Sequence, residues 1–257
     1  MNSASAAMTG TLSIAGLGPG DPNLVTPEVT AALAQATDVI GYVPYVARVA
    51  PRPGLTLHPS DNRVERDRAA HALRLASEGA HVVIVSSGDP GVFAMASAVF
   101  EVVEAGPAEW RSLDIRVLPG ITAMLAASAR AGAPLGHDFC TINLSDNLKP
   151  WPLIARRIAL AAEADFAIAF YNPRSNARPD TLDAALAVLR ETYADARLVL
   201  FARAVSTPEE QLRIVPLPEA RGDMADMRTV VIVGSSRTRM IDRPGAAPYL
   251  YTPRSAA

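Results

Sequence analysis

The sequence holds little of what a metal or redox centre needs. One cysteine, Cys140, stands among 257 residues, so neither an intramolecular disulfide nor a cysteine-held metal cluster can form. Cys140 falls in the apolar stretch 139–144 and is expected to be a buried, inert thiol. The four histidines, His58, His71, His81 and His137, are scattered without metal-ligand spacing, and no metal site is expected. Charge of neither sign dominates: 24 Lys and Arg face 26 Asp and Glu, a formal net charge of −2. A protein that grips polyanions over its whole surface is basic, so nucleic acid is disfavoured as a partner while local basic pockets are not. No stretch approaches the ~20 apolar residues of a membrane span. Residues 1–10 are small and polar, without the basic-then-apolar layout of a signal peptide. A cytoplasmic protein with no membrane partner is the expectation.

What is present reads as a soluble globular chain, with 49% apolar and 19% charged residues. Short β-rich runs alternate with longer helical patterns, the signature of an α/β architecture. Strands are predicted over residues 11–15, 38–42, 81–85 and 115–118, then over 139–144, 166–171, 198–202, 211–215 and 229–233. Helices are predicted over 26–36, 63–78, 92–105, 121–131, 151–162 and 181–192. Thr26 is placed to cap the first helix, with Pro27 at its first position. The 63–78 helix sets Ala69, Ala72, Leu73 and Ala76 on one face. A boundary is expected between Gly120 and Gly136. The organisation predicted is a flexible N-terminus at 1–10, α/β domains at 11–120 and 121–242, and an extended tail at 243–257.

Three glycine-bearing loops follow predicted strands. The first, Gly16-Leu-Gly-Pro-Gly-Asp21, looks like a dinucleotide fingerprint and fits it badly. That fingerprint puts glycine at its sixth place, where Asp21 stands, and opens a helix at once. Here the helix waits until Thr26, and the acid expected at the end of the next strand instead begins it, as Asp38. The second loop is Ser86-Ser-Gly-Asp-Pro-Gly-Val-Phe93 and the third Pro119-Gly-Ile-Thr-Ala123. Ligands of open α/β sheets bind outside the carboxyl ends of strands. Loops that pair glycine with an acid suit ribose hydroxyls or an ammonium group better than phosphate.

In order and spacing these three motifs resemble the class III tetrapyrrole methyltransferases, which act on uroporphyrinogen III and the precorrins. The resemblance covers roughly residues 12–235. It implies two α/β domains, a homodimer, and S-adenosyl-L-methionine held in a cleft between the domains, with S-adenosyl-L-homocysteine as product. The cofactor residues it implies are Pro19, Ser87, Gly88, Asp89, Val92, Thr122, Ala123, Asn172, Ala204 and Thr229. Within the family, several segments resemble members that methylate precorrin-3B at C17. They are Val39-Ile-Gly-Tyr-Val-Pro-Tyr45, Asn143-Leu-Ser-Asp146, Phe170-Tyr-Asn-Pro-Arg-Ser175 and Tyr251-Thr-Pro-Arg254. Ser87 and Asn172 replace the glycine and methionine usual in the uroporphyrinogen enzymes.

The implied reaction is methylation at C17 with ring contraction to precorrin-4, a step of cobalamin biosynthesis. A precorrin carries many carboxylate arms, and buried carboxylates need cationic partners. Candidate substrate residues are Tyr42, Tyr45, Arg63, Lys149 and Arg174, with Arg66, Arg68 and Arg178 beside them. Methyl transfer from a sulfonium needs positioning more than a nucleophile. Ring contraction would benefit from a general acid or base, for which Ser145, Asp146 and Tyr171 are candidates. The alternatives are another precorrin or uroporphyrinogen III C-methyltransferase, a nicotinamide-dependent oxidoreductase, and a non-catalytic tetrapyrrole-binding protein.

Overall fold

The computed structural model describes residues 10–61 and 64–255. The chain divides into two compact units, with the break between Thr122 and Ala123.

The first unit runs β1 (Thr11–Gly16), α1 (Pro27–Gln35), β2 (Asp38–Tyr42), α2 (Val43–Val46), β3 (Thr56–Ser60), α3 (Glu65–Ser77), β4 (His81–Ser86), α4 (Met95–Ala105) and β5 (Asp114–Leu118). Its five strands form a parallel sheet in the order β3-β2-β4-β1-β5. Alternation along the strands splits the core in two. Leu12, Ile14, Val82 and Ile84 face one side with α3 and α4, while Ala15, Val83 and Val85 join Val29 and Val46 on the other. Ala69, Ala72, Leu73 and Ala76, one helical face by their spacing, are fully buried. Thr26 caps α1 by accepting the Val29 amide at 3.3 Å.

The second unit runs α5 (Ala123–Ala131), β6 (Gly132–Ala133), β7 (Phe139–Asn143), α6 (Trp151–Glu163), β8 (Ala167–Tyr171), α7 (Thr181–Thr192), β9 (Leu198–Arg203), β10 (Gln211–Pro216), β11 (Thr229–Val233), β12 (Arg239–Arg243) and β13 (Ala246–Tyr251). The main sheet is mixed, in the order β10-β9-β11-β8-β7, with β7 and β8 parallel and the other pairs antiparallel. Its largest core packs Ile154, Ile158, Leu182, Leu186 and Leu189 of α6 and α7 onto Ile168, Phe170, Phe201 and Val231.

Four expectations shift. The helix expected from Val92 begins at Met95, because Val92 closes a turn onto the Asp89 carbonyl and Phe93 takes φ +54. The helix expected from Ile121 begins at Ala123. Strand β3 is additional. It contains Pro59, which only an edge strand tolerates, and β3 lies at the sheet edge. The segment from Arg243, expected as an extended tail, is ordered against the second unit. It turns at Gly245 (φ +71) into β13, which pairs with β12 and β6 and buries Leu250 completely.

Candidate functional site

In the first unit, β4, β1 and β5 are neighbours and parallel, so the three glycine loops leave the sheet side by side at its carboxyl edge. They are bonded together there. Leu17 N donates to Ser86 O at 2.8 Å, and Gly18 and Gly88 exchange backbone bonds at 3.2 and 3.0 Å. Both of those glycines have positive φ, +66 and +62. The chains pass so close that a Cβ on Gly120 would lie 2.2 Å from the Gly88 carbonyl oxygen. Asp89 joins the second loop to the third: one carboxylate oxygen accepts Gly91 N at 2.8 Å and the other Gly120 N at 3.0 Å. Asp89 therefore neither caps α4, whose N-cap is Ala94, nor stands free. Asp21 accepts Asn23 N at 2.8 Å and caps a short 3-10 turn.

A residue not nominated from the sequence completes this edge. Arg48, just past α2, donates to the carbonyls of Leu17 (2.5 Å) and Gly18 (3.2 Å), gathering the first loop. Nothing local in the sequence marks it, because its partners lie a whole βα unit earlier. Of the residues nominated in this unit, Pro19, Ser87, Gly88, Asp89, Val92 and Thr122 all lie on these three loops, and Thr122 is buried. Tyr42 ends β2 and Tyr45 lies on α2, with their rings edge to face at 5.4 Å. Burial, reinforced by Tyr42, raises the Tyr45 phenol above its ordinary pKa and keeps it neutral. Arg68 lies on α3. It is buried and donates to Ser60 Oγ (2.8 Å) and the Asp61 carbonyl (2.7 Å). Arg63 lies outside the described residues.

In the second unit, Asn143 at the end of β7 is a hub that the sequence displays only as part of a motif. Its Oδ1 accepts Asn172 Nδ2 at 3.0 Å and Ser145 N at 2.9 Å. That bond holds Asn172 at φ +51, a left-handed conformation that non-glycine residues adopt mainly where the surroundings enforce it. Ala204 has φ +48 and Ser206 φ +63. Two nominated residues, Asn172 and Ala204, thus sit at left-handed backbone, which asparagine tolerates and alanine rarely adopts. Thr229 is buried and donates to Asp226 Oδ1 at 2.8 Å. Burial alone would raise the Asp226 carboxyl, but bonds from Thr229, Arg203 and the Arg228 amide hold it below the ordinary range. Tyr171 Oη accepts Met124 N at 3.0 Å, at the start of α5 beside Ala123. Ser145, Asp146 and Lys149 share the loop after β7, where burial and nearby Arg157 lower the Lys149 pKa. Arg174 Nε donates to the Pro179 carbonyl at 3.0 Å. Cys140 is partly buried, and burial pushes its thiol pKa up.

Among the described residues no group of histidine, cysteine and acidic side chains is placed to hold a metal ion, and no helix is long and apolar enough to cross a membrane.

The sequence and the fold match known proteins. Residues 11–221 match the family described as Tetrapyrrole (Corrin/Porphyrin) Methylases. The chain belongs to that family. Among its members, a precorrin-3B C(17)-methyltransferase of Sinorhizobium sp is 53% identical over 247 residues, which span 96% of this chain and 97% of that protein. The crystal structure of the methyltransferase CobJ has a TM-score of 0.91 at 63% identity, over 95% of this chain and 100% of that one. A uroporphyrin-III C-methyl transferase from Thermus thermophilus, complexed with S-adenyl homocysteine, shares the fold. Its TM-score is 0.68 at 22% identity, over 88% of this chain and 97% of that one.

Proposed function

We propose that this protein is an S-adenosylmethionine-dependent C-methyltransferase that methylates precorrin-3B at C17 with ring contraction to precorrin-4, in cobalamin biosynthesis. The observation that carries the reading is the set of three interlocked glycine loops at the carboxyl edge of the first sheet, in a chain 53% identical to a precorrin-3B C(17)-methyltransferase.

The donor set of the three loops fits the cofactor. It consists of backbone amides and carbonyls with the hydroxyls of Ser86, Ser87 and Thr122 and the carboxylates of Asp21 and Asp89, and none of the three loops contains a lysine or arginine. Such a set suits ribose hydroxyls, an amine and a sulfonium, and brings no cation to a pyrophosphate, since the Arg48 guanidinium beside it is taken up by the Leu17 and Gly18 carbonyls. When bound, the cofactor supplies an activated methyl group. Pro19, Ser87, Gly88, Asp89, Val92, Thr122, Ala123, Asn172, Ala204 and Thr229 are the residues proposed to hold it. Backbone already fixed by Asp89, Arg48 and Asn143 needs no reordering on binding, so little conformational entropy is lost there.

Tyr42, Tyr45, Arg63, Lys149 and Arg174 are proposed to meet the substrate. Tyr45, held neutral, offers an apolar ring with a hydrogen-bonding tip. Ser145, Asp146 and Tyr171 remain the proposed proton-handling groups for ring contraction. The Tyr171 oxygen accepts the Met124 amide at 3.0 Å.

The protein is proposed to act as a cytoplasmic homodimer without nucleic acid or membrane partners. Strand β12 is an edge strand, and Met240 and Ile241 on it and Tyr249 on β13 are exposed apolar side chains. An edge of this kind invites a second copy of the chain.

The test has two parts. Calorimetry is expected to show S-adenosylhomocysteine binding at one site per chain and no NADH binding. Mass spectrometry and NMR of the product from precorrin-3B are expected to show one added methyl at C17 and a contracted ring. NADH binding without S-adenosylhomocysteine binding would overturn the cofactor, and methylation at another carbon would overturn the regiochemistry.

A further inference from the structure

Arg178 lies between β8 and α7, in a turn whose backbone is fixed and whose guanidinium is not. Ser175 and Arg178 exchange backbone bonds at 3.2 and 3.0 Å, with exposed Asn176 and Ala177 between them. Arg174 Nε holds the Pro179 carbonyl, and Thr181 Oγ1 holds the Arg178 carbonyl at 3.4 Å. The Arg178 side chain is only 15% exposed, and its Nη1 is buried without a partner among the described residues. The carboxylate within ion-pair range among them, Asp146 Oδ1, stands 3.9 Å from Nε, beyond hydrogen-bond length.

Arg197, comparably covered at 10% side-chain exposure, shows what a satisfied guanidinium looks like in the same unit. It meets Asp165 and Asp195 at 2.5 Å each. Sinking a guanidinium without such partners costs free energy, and a ligand that supplies acceptors removes that cost. The position fits a ligand. Arg178 belongs to the loop that leaves the carboxyl end of β8 after Tyr171 and Asn172, and Asp146 belongs to the loop leaving the adjacent parallel strand β7. The Asp146 side chain is half exposed, so an incoming carboxylate can take its place.

We propose that Arg178 is the anchor for a carboxylate arm of the tetrapyrrole substrate, with Asp146 as its displaceable counter-ion in the free protein. This rests on the tetrapyrrole reading of the preceding section. A guanidinium grips a carboxylate through two parallel N–H donors, a fork that lysine does not reproduce. The charge at the loop end thereby selects substrates that carry an acidic arm at one position of the macrocycle rim.

The test compares wild type with Arg178→Met and Arg178→Lys. Uroporphyrin III, a stable polycarboxylate tetrapyrrole, is titrated against each by fluorescence quenching, S-adenosylhomocysteine by calorimetry, and turnover is followed with precorrin-3B. Arg178→Met is expected to weaken uroporphyrin binding and raise the KM for precorrin-3B by roughly tenfold or more. Arg178→Lys is expected to fall between the two. Affinity for S-adenosylhomocysteine should be unchanged, and the thermal midpoint of Arg178→Met unchanged or higher, since an unpaired buried charge is removed. Absent uroporphyrin binding to wild type, equal binding by all three proteins, or a loss confined to S-adenosylhomocysteine each overturns the anchor. A wild type that binds uroporphyrin through Arg178 but leaves precorrin-3B unmethylated overturns the proposed substrate and leaves the anchor standing.

Discussion

Asp89 spends both carboxylate oxygens on backbone amides of two different loops, so removing it acts on stability and on the site together. Asp89→Ala is expected to lower unfolding free energy by about 1.5–3 kcal/mol, the range for bonds to a charged group, and to weaken S-adenosylhomocysteine binding as the second and third loops part. Urea unfolding and calorimetry check this, and an unchanged unfolding midpoint would mean that the tie contributes nothing. Tyr193 offers a second prediction at this scale. Its hydroxyl is buried without a partner among the described residues, and the Arg197 guanidinium lies 4.2 Å above its ring. Burial pushes its pKa from 10.0 up to about 12. The folded state then keeps a proton that the unfolded chain releases. Its contribution to stability is full below pH 10.0 and is lost as pH rises towards about 12. Tyr193→Phe should flatten the alkaline fall in stability across that window and leave neutral stability unchanged or higher. Chemical unfolding near neutrality and through the alkaline range tests it, with an identical alkaline slope in both proteins as the contrary result.

Among the elements, the first sheet's order decides which loops meet. Parallel strands joined by helices need not be neighbours in sequence, and β1 lies between β4 and β5. That order brings three loops together which are far apart along the chain. Their contact depends on glycine at one position above all. A Cβ at Gly120 would meet the carbonyl oxygens of Gly88 at 2.2 Å and Gly16 at 2.8 Å. Gly120→Ala is expected to cost about 1–3 kcal/mol by overpacking and to abolish S-adenosylhomocysteine binding. Gly54 is the matched control: its φ is +78, but nothing lies within 4 Å of the added carbon. Gly54→Ala should cost only the left-handed backbone penalty, about 1 kcal/mol, and should leave binding intact. Equal effects of the two substitutions on binding would remove the interlocked loops from the site.

For the molecule as a whole, assembly is the prediction. The β12–β13 hairpin presents Met240, Ile241 and Tyr249, each about half exposed, on a sheet with an open edge. Light scattering at micromolar concentration is expected to give a dimer for the wild type and a monomer for Ile241→Lys, because a charge placed in an apolar contact leaves an unpaired buried ion. A monomeric wild type would refute the dimer. A dimeric Ile241→Lys would place the contact elsewhere.

The sequence by itself determined most of the longer strands and helices, because periodicity and capping act locally. Val82–Val85, Thr26-Pro27 and the Ala69–Ala76 face carry their structure in their spacing. It also displayed the three glycine loops, whose composition already argued against a phosphate. Strand β3 and the C-terminal hairpin escaped it, since an edge strand containing Pro59 and a tail rich in proline and alanine carry no strong period. Tertiary structure alone decided the partners: Arg48 on the Leu17 and Gly18 carbonyls, Asp89 on Gly120, Asn143 on Asn172, and Arg178 with a donor left unmet. A side chain's type sets what it can bond, but its partner depends on which strands lie side by side. That order follows from packing the sheet's two faces, which no local stretch of sequence records.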